Sequence, residues 1–199
     1  MSAIENYYYH NIREYFPDGC IRDMEALNNF ISSFSCPLNP EVENFLKKNA
    51  IEFTKKSSSV TYLVFSKQDM ELVGYFTVTI KPLSISADKL SNSLKKKIER
   101  TSRFNPATQT YNTAAYLIAQ LGKNYTDAAD TKISGGDLLK LVFELLHNIQ
   151  HDVGGVIAFA EAEDNEKLLN FYSQNYFVPS DKRVDDDGMT LVQLLRIIK

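Results

Sequence analysis

"AAYLIAQLG", residues 114–122, and "VGGVIAFAEA", residues 153–162, are almost continuous apolar runs, and "SGGDLLKLVFELLHNIQ", residues 134–150, lies between them. Short apolar runs without polar alternation predict strands covered on both faces. In the middle segment Leu138, Val142, Leu145 and Ile149 share one stripe, with Leu139 and Leu146 beside it, which predicts an amphipathic helix. Strand, helix, strand in this order predicts a right-handed crossover between parallel strands.

Upstream, "VTYLVFS" (60–66) and "ELVGYFTVTIK" (71–81) are rich in β-branched and aromatic residues and are separated by the polar "KQDM", which predicts an antiparallel hairpin. "NPEVENFLKKNAIEF" (39–53) predicts one amphipathic helix, with Asn39 as N-cap, Pro40 at the first helical position, and Val42, Phe45, Leu46 and Phe53 recurring at helical spacing. An earlier helix is expected near 20–32. Downstream, "NEKLLNFYSQNYF" (165–177) predicts a second helix, capped by Asp164 or Asn165. "FVPSDKR" and "MTLVQLLRI" predict a closing hairpin through "VDDDG", with its turn at Asp187-Gly188. The expected architecture is an α/β domain around a mixed sheet. It is read as a single domain over 1–199, with an N-terminal extension about 1–33 and an insertion about 84–113.

Of the 199 residues 44% are hydrophobic and 24% charged, as in a soluble globular chain. No apolar run reaches the roughly 18 residues that span a bilayer, and the first residues lack a signal-peptide pattern. The expected location is cytoplasmic, without a membrane partner. Cys20 and Cys36 stand without a CxxC or a histidine cluster, so neither a disulfide framework nor a zinc site is expected. The acidic run 185–187 lacks the spacing and closing glutamate of a calcium loop, and no metal is expected.

The net charge of −3 is uneven. Between Ser84 and Thr113 six basic residues (Lys89, Lys95, Lys96, Lys97, Arg100, Arg103) face two acidic ones, a local +4 that leaves −7 for the rest. The stretch is a solvated face or a contact for an anionic partner.

"TKISGGDLL" (131–139) places Gly135 and Gly136 at the entrance of the long helix. A helix start presents unpaired N–H groups and a partial positive charge, so the pair is either a plain turn or an anion site. Neither GxxxxGK[ST] nor GxGxxG is present. Tyr172 and Leu168 stand at i, i+4 on one stripe, so Tyr172 reads from spacing alone as a core aromatic.

Strand, glycine loop, helix, strand, and a helix carrying "NFY" together resemble the GNAT superfamily, the Gcn5-related N-acetyltransferases, over about residues 34–196. The resemblance implies a mixed, mostly antiparallel sheet with a central parallel strand pair flanked by helices. It implies an N-acetyltransferase that uses acetyl-CoA as cosubstrate and moves the acetyl group to a primary amine by direct attack on the thioester.

The family's pyrophosphate loop, [QR]xxGx[GA], falls here on Asp130-Thr131-Lys132-Ile133-Ser134-Gly135, so only the last position agrees. Backbone amides from Ile133, Ser134, Gly135, Gly136 and Asp137 would meet the phosphates, with Lys132 adding charge. The "N…FYxxxGF" pattern matches at Asn165, Phe171, Tyr172 and Phe177, with Tyr176 where glycine is usual. It implies Asn165 at the pantetheine arm and Tyr172 as the general acid for the leaving thiolate. A phenol of pKa about 10 is protonated at neutral pH and can donate to a thiolate whose acid has a pKa of about 8.5. Cofactor and acetyl would lie in the V between strands 114–122 and 154–161. The end of the first of these strands would supply the Leu121 amide to the acetyl carbonyl and Lys123 to the pantetheine amide, with Gly122 easing a bulge there.

The base is not given by the resemblance. Glu161 is the best-placed carboxylate and Glu163 the next, while His147 and His151 read as surface residues. "FSCPLNPEVENFLKKNA" (34–50) is similar, with shifted spacing, to toxins of this superfamily that acetylate aminoacyl-tRNA. The expected partners are a small-molecule or protein amine acceptor, or tRNA through the +4 stretch, with the chain a monomer or homodimer. A non-catalytic CoA-binding module is the alternative that Ile133 and Tyr176 raise.

Overall fold

The computed structural model describes residues 3–16, 22–127, 129–184 and 188–198. The elements in chain order are α1 (Ala3–Asn6), β1 (Tyr7–Asn11), α2 (Arg22–Ser33), α3 (Pro40–Asn44), a π-helical turn Phe45–Asn49, α4 (Ala50–Lys55), β2 (Val60–Ser66) and β3 (Leu72–Ser86). They continue as α5 (Asn92–Ile98), β4 (Arg103–Asn105), β5 (Thr110–Lys123), α6 (Gly135–Val153), β6 (Ile157–Glu163), α7 (Glu166–Gln174), β7 (Val178–Val184) and β8 (Thr190–Ile197). The sheet runs β1-β2-β3-β5-β6-β8-β7, with β4 on β5. It is mixed and mostly antiparallel, with β5 and β6 as its parallel pair, and helices flank it. By contact density the chain divides into two compact units, Met1–Thr79 with Ala119–Glu144, and Ile80–Ile118 with Leu145–Lys199.

In the first unit β1, β2 and β3 form an antiparallel meander. Residues 7–11 are therefore an edge strand of the sheet, and α2 contributes Leu27 and Ile31 to the core. Both lie within the extension expected over about 1–33; α2 answers to the helix expected near 20–32, whereas a five-residue strand whose partner lies some fifty positions away leaves no local signature. Phe34, Leu46, Leu63, Phe65 and Tyr75 complete this core. The expected helix over 39–53 is interrupted. Asn39 caps it by accepting from the amides of Glu41 (3.1 Å) and Val42 (3.2 Å), but the π-turn at Phe45–Asn49 shifts the helical phase. Leu46 stays buried while Phe53 is left 42% exposed, its ring edge-on to Phe45.

In the second unit Leu83, Ile85, Leu90, Ile98, Tyr111, Ile157, Phe159 and Leu195 form the core. The stretch 84–113 is built from the end of β3, α5, β4 and the start of β5. The parallel ladder joins only Tyr116 to Ala158 and Leu117 to Phe159, whereas β6 pairs with β8 from Ile157↔Ile197 to Glu163↔Leu191. The closing hairpin is present as β7 and β8. Of the expected turn at Asp187-Gly188, Gly188 is described, at φ 81°, while Asp187 and the rest of the acidic run 185–187 lie outside the described residues, as does Cys20. Cys36 is buried and free.

Candidate functional site

The loop before α6 is anchored from three directions within the first unit. Ser134 accepts from the Asp137 amide (3.1 Å) and its hydroxyl meets the Asp137 carboxylate (2.7 Å), which caps the helix and fixes its entrance. Lys132 Nζ pairs with Asp69 of the β2–β3 turn, and Lys123 Nζ pairs with Asp130 at 2.8 Å. The Lys132 carbonyl accepts from the hydroxyl of Tyr7 on β1. Ile133 turns its side chain inward, 3% exposed, so the residue that replaces glycine occupies core volume and not the loop's outer surface. Gly135 and Gly136 open α6, where the first amides have no intrahelical acceptor.

Charge at this entrance is balanced locally. Burial works against the charged form of Asp137, but Lys140 (2.8 Å) and Ser134 outweigh it and hold the carboxyl below its ordinary range. The Lys132 ammonium is neutralised by Asp69, whose carboxyl it lowers together with the Ser66 hydroxyl. What the loop offers an anion is backbone amides and helix polarity more than side-chain charge.

The end of β5 is bolted by Asn124, 1% exposed. Its side chain accepts from the Ser35 amide (3.0 Å) and donates to the Leu72 carbonyl (2.7 Å), while its own amide donates to the Val73 carbonyl (2.9 Å). Leu121 and Lys123 are half-buried just before it. Gly122 is required by contact: a Cβ there would stand 2.4 Å from the Tyr75 ring and 2.7 Å from Val42. Tyr75 in turn donates to the Val42 carbonyl at 2.6 Å.

In the second unit α7 opens at Asn165, whose side chain accepts from the amides of Lys167 (2.9 Å) and Leu168 (3.4 Å). Asn165 and not Asp164 is the cap, since Asp164 pairs with Lys182 at 2.5 Å. Tyr172 lies one face inward, 8% exposed, edge-on to Phe171 and Phe177. Burial pushes its hydroxyl up to about 12. Among the described residues that hydroxyl has no hydrogen-bond partner. The helix ends with Tyr176 at φ 65°, donating to the Ser173 carbonyl, while Phe177 donates to that of Tyr172. This is the left-handed position that usually takes glycine, and the Tyr176 ring is 80% exposed beside the Arg196 guanidinium.

Glu161 is engaged by Arg183 at 2.6 Å, a partner 22 residues away that spacing did not reveal. His147 and His151 are exposed on α6. Sequence reasoning also missed Tyr7, Asp69 and Asn124. The run "YYY" at 7–9 was the only visible signal, and it does not say which residue reaches the loop.

No protein-family model and no curated protein matches the sequence. Solved structures do match in fold. A bacterial toxin is 18% identical, with 96% of this chain and 90% of that one covered at a TM-score of 0.66. AtaT complexed with acetyl-methionyl-tRNAfMet is 17% identical, with 94% of each chain covered at 0.61. A GNAT-family protein from Desulfovibrio desulfuricans is 14% identical, with 97% and 99% covered at 0.54. A tyrosine-to-phenylalanine mutant of the KacT protein and AtaTR bound with acetyl-CoA are also similar. With the strand order and the parallel β5–β6 pair, these likenesses establish that the chain has the fold of the GNAT superfamily, the Gcn5-related N-acetyltransferases.

Proposed function

We propose that the chain is an acetyl-CoA-dependent N-acetyltransferase acting by direct transfer to a primary amine. The observation that carries this reading is Tyr172, a buried ring on a helix opened by Asn165, whose hydroxyl no described residue engages. The neutral amine nitrogen attacks the thioester carbonyl, a C–N bond forms, and the carbonyl pair moves to oxygen. On collapse the C–S bond breaks and the sulfur leaves with its electron pair, accepting a proton from Tyr172. The proton lost by the amine balances the one the thiol keeps. At about 12 the tyrosine is protonated throughout the neutral range, so it is always a donor, and reprotonation follows each transfer.

The cosubstrate reading assigns these roles. Amides of Ile133, Ser134, Gly135 and Gly136 would take the diphosphate, with Lys132 shaping the loop through Asp69, whereas the expected amide of Asp137 already donates to Ser134 as the helix cap. In the first unit the Leu121 amide would meet the developing oxyanion, worth a few kcal/mol, and Lys123 the pantetheine arm. Glu161 would serve as base through the oxygen that Arg183 leaves open.

Tyr172→Phe is expected to lower kcat about 100-fold or more while leaving the Kd for acetyl-CoA within twofold. Stopped assays of CoA release alongside equilibrium titration check both. Unchanged turnover removes Tyr172 from the mechanism, and binding without turnover on any amine favours a non-catalytic CoA-binding module.

A second reading, acetylation of aminoacyl-tRNA, is supported by the toxin neighbours and by exposed Lys96, Lys97, Arg100 and Arg103 on and after α5. It expects tRNA binding whose logarithm falls linearly with that of salt, with a slope reduced by about one for each of these cations replaced. Salt-independent retention of tRNA would end it.

A further inference from the structure

The Lys132–Ile133 peptide sits where the phosphate loop departs most from the family pattern, and it is held from β1. The Tyr7 hydroxyl donates to the Lys132 carbonyl, a bond across 125 positions of chain. The peptide is trans, so its C=O and N–H point in opposite directions. A carbonyl pinned toward Tyr7 therefore aims the Ile133 N–H away from β1. Isoleucine lacks the backbone freedom of glycine, and here its side chain is committed to the interior.

The anchor is rigid. β1 pairs with β2 from Tyr7↔Ser66 to Asn11↔Tyr62, and the Lys67 amide donates to the Asn6 carbonyl at 2.9 Å beside it. The Lys132 side chain is held separately by Asp69, so the peptide plane and the side chain have independent supports. Burial and the nearby Asp137 charge both keep Tyr7 protonated, hence a donor.

We infer that Tyr7 is a positioning residue for the diphosphate-binding loop: by holding the Lys132 carbonyl it orients the Ile133 amide toward the ligand, replacing with a hydrogen bond the freedom that a glycine would supply. The inference rests on the acetyl-CoA reading above.

The test is calorimetric titration of wild type, Tyr7→Phe and Asp69→Asn with CoA, and with S-acetylpantetheine, which lacks the diphosphate. Tyr7→Phe is expected to weaken CoA about fivefold to tenfold, as for one lost hydrogen bond, and to leave S-acetylpantetheine within twofold. Asp69→Asn frees the side chain but keeps the Tyr7 bond, and is expected to change CoA affinity by less than threefold. Wild-type affinity for CoA in Tyr7→Phe, or equal weakening of both ligands, overturns the inference. Failure of the wild type to bind CoA overturns the acetyl-CoA reading itself, which is a different result.

Discussion

Tyr172 and Tyr176 sit one helical turn apart and have opposite environments. The first is buried with its hydroxyl unengaged, and the second is exposed in a backbone conformation that costs an L residue about 1–2 kcal/mol. Spacing marked Tyr172, with Leu168, as a core aromatic, but it did not mark Tyr176 as exposed, because burial beyond the helix end is a property of what packs there. Gly122 shows the same limit. The sequence reading gave it a bulge, whereas the structure gives it the contact with Tyr75 and Val42. Gly122→Ala is therefore expected to destabilise by about 1–3 kcal/mol, measured by denaturant unfolding, since the obstructing ring is held by its bond to Val42. A neutral effect would mean that α3 yields.

At the scale of elements, α7 begins where it does because Asn165 caps it. Asn165→Ala is expected to cost about 1 kcal/mol, while Asn165→Ser, which retains a capping oxygen, keeps the melting temperature. Should Asn165 also meet the pantetheine arm, the serine variant will raise the KM for acetyl-CoA at unchanged stability; unchanged KM would confine Asn165 to capping. The strands and the long helix were legible because their periodicity is set by what each face must bury. The π-turn at Phe45–Asn49 was not, since it depends on fitting Leu46 and Phe45 to a core whose other side comes from β2 and β3. β1 was equally hidden, as its pairing partner is remote.

At the scale of the molecule, several carboxylates bear on how stability varies with acid. Glu43 is held below the usual range by the Cys36 amide (2.6 Å) and by Lys47 (2.7 Å), and Asp69 and Asp137 are lowered as described. A pKa depressed by folding contributes stability above the unfolded value, and that contribution is lost as pH falls through the folded one. Thermal stability is expected to decline below about pH 4.5, with a shallower decline in Glu43→Gln, followed by calorimetry across pH. Glu144 runs the other way. Burial raises it against the opposing Lys67, so Glu144→Gln is expected to melt no lower, and even higher, at neutral pH. By itself the sequence determined the β2–β3 hairpin, the strand–helix–strand unit with its parallel pair, the glycine entrance of α6 and the aromatic helix after β6, because local periodicity and caps carry that information. Only the tertiary structure decided that Tyr7 reaches Lys132, that Asn124 bolts β5, that Arg183 occupies Glu161 and that Tyr176 stands exposed at a positive φ. Each of those contacts joins residues far apart in the chain or depends on packing from several elements, and neither leaves a period in the sequence.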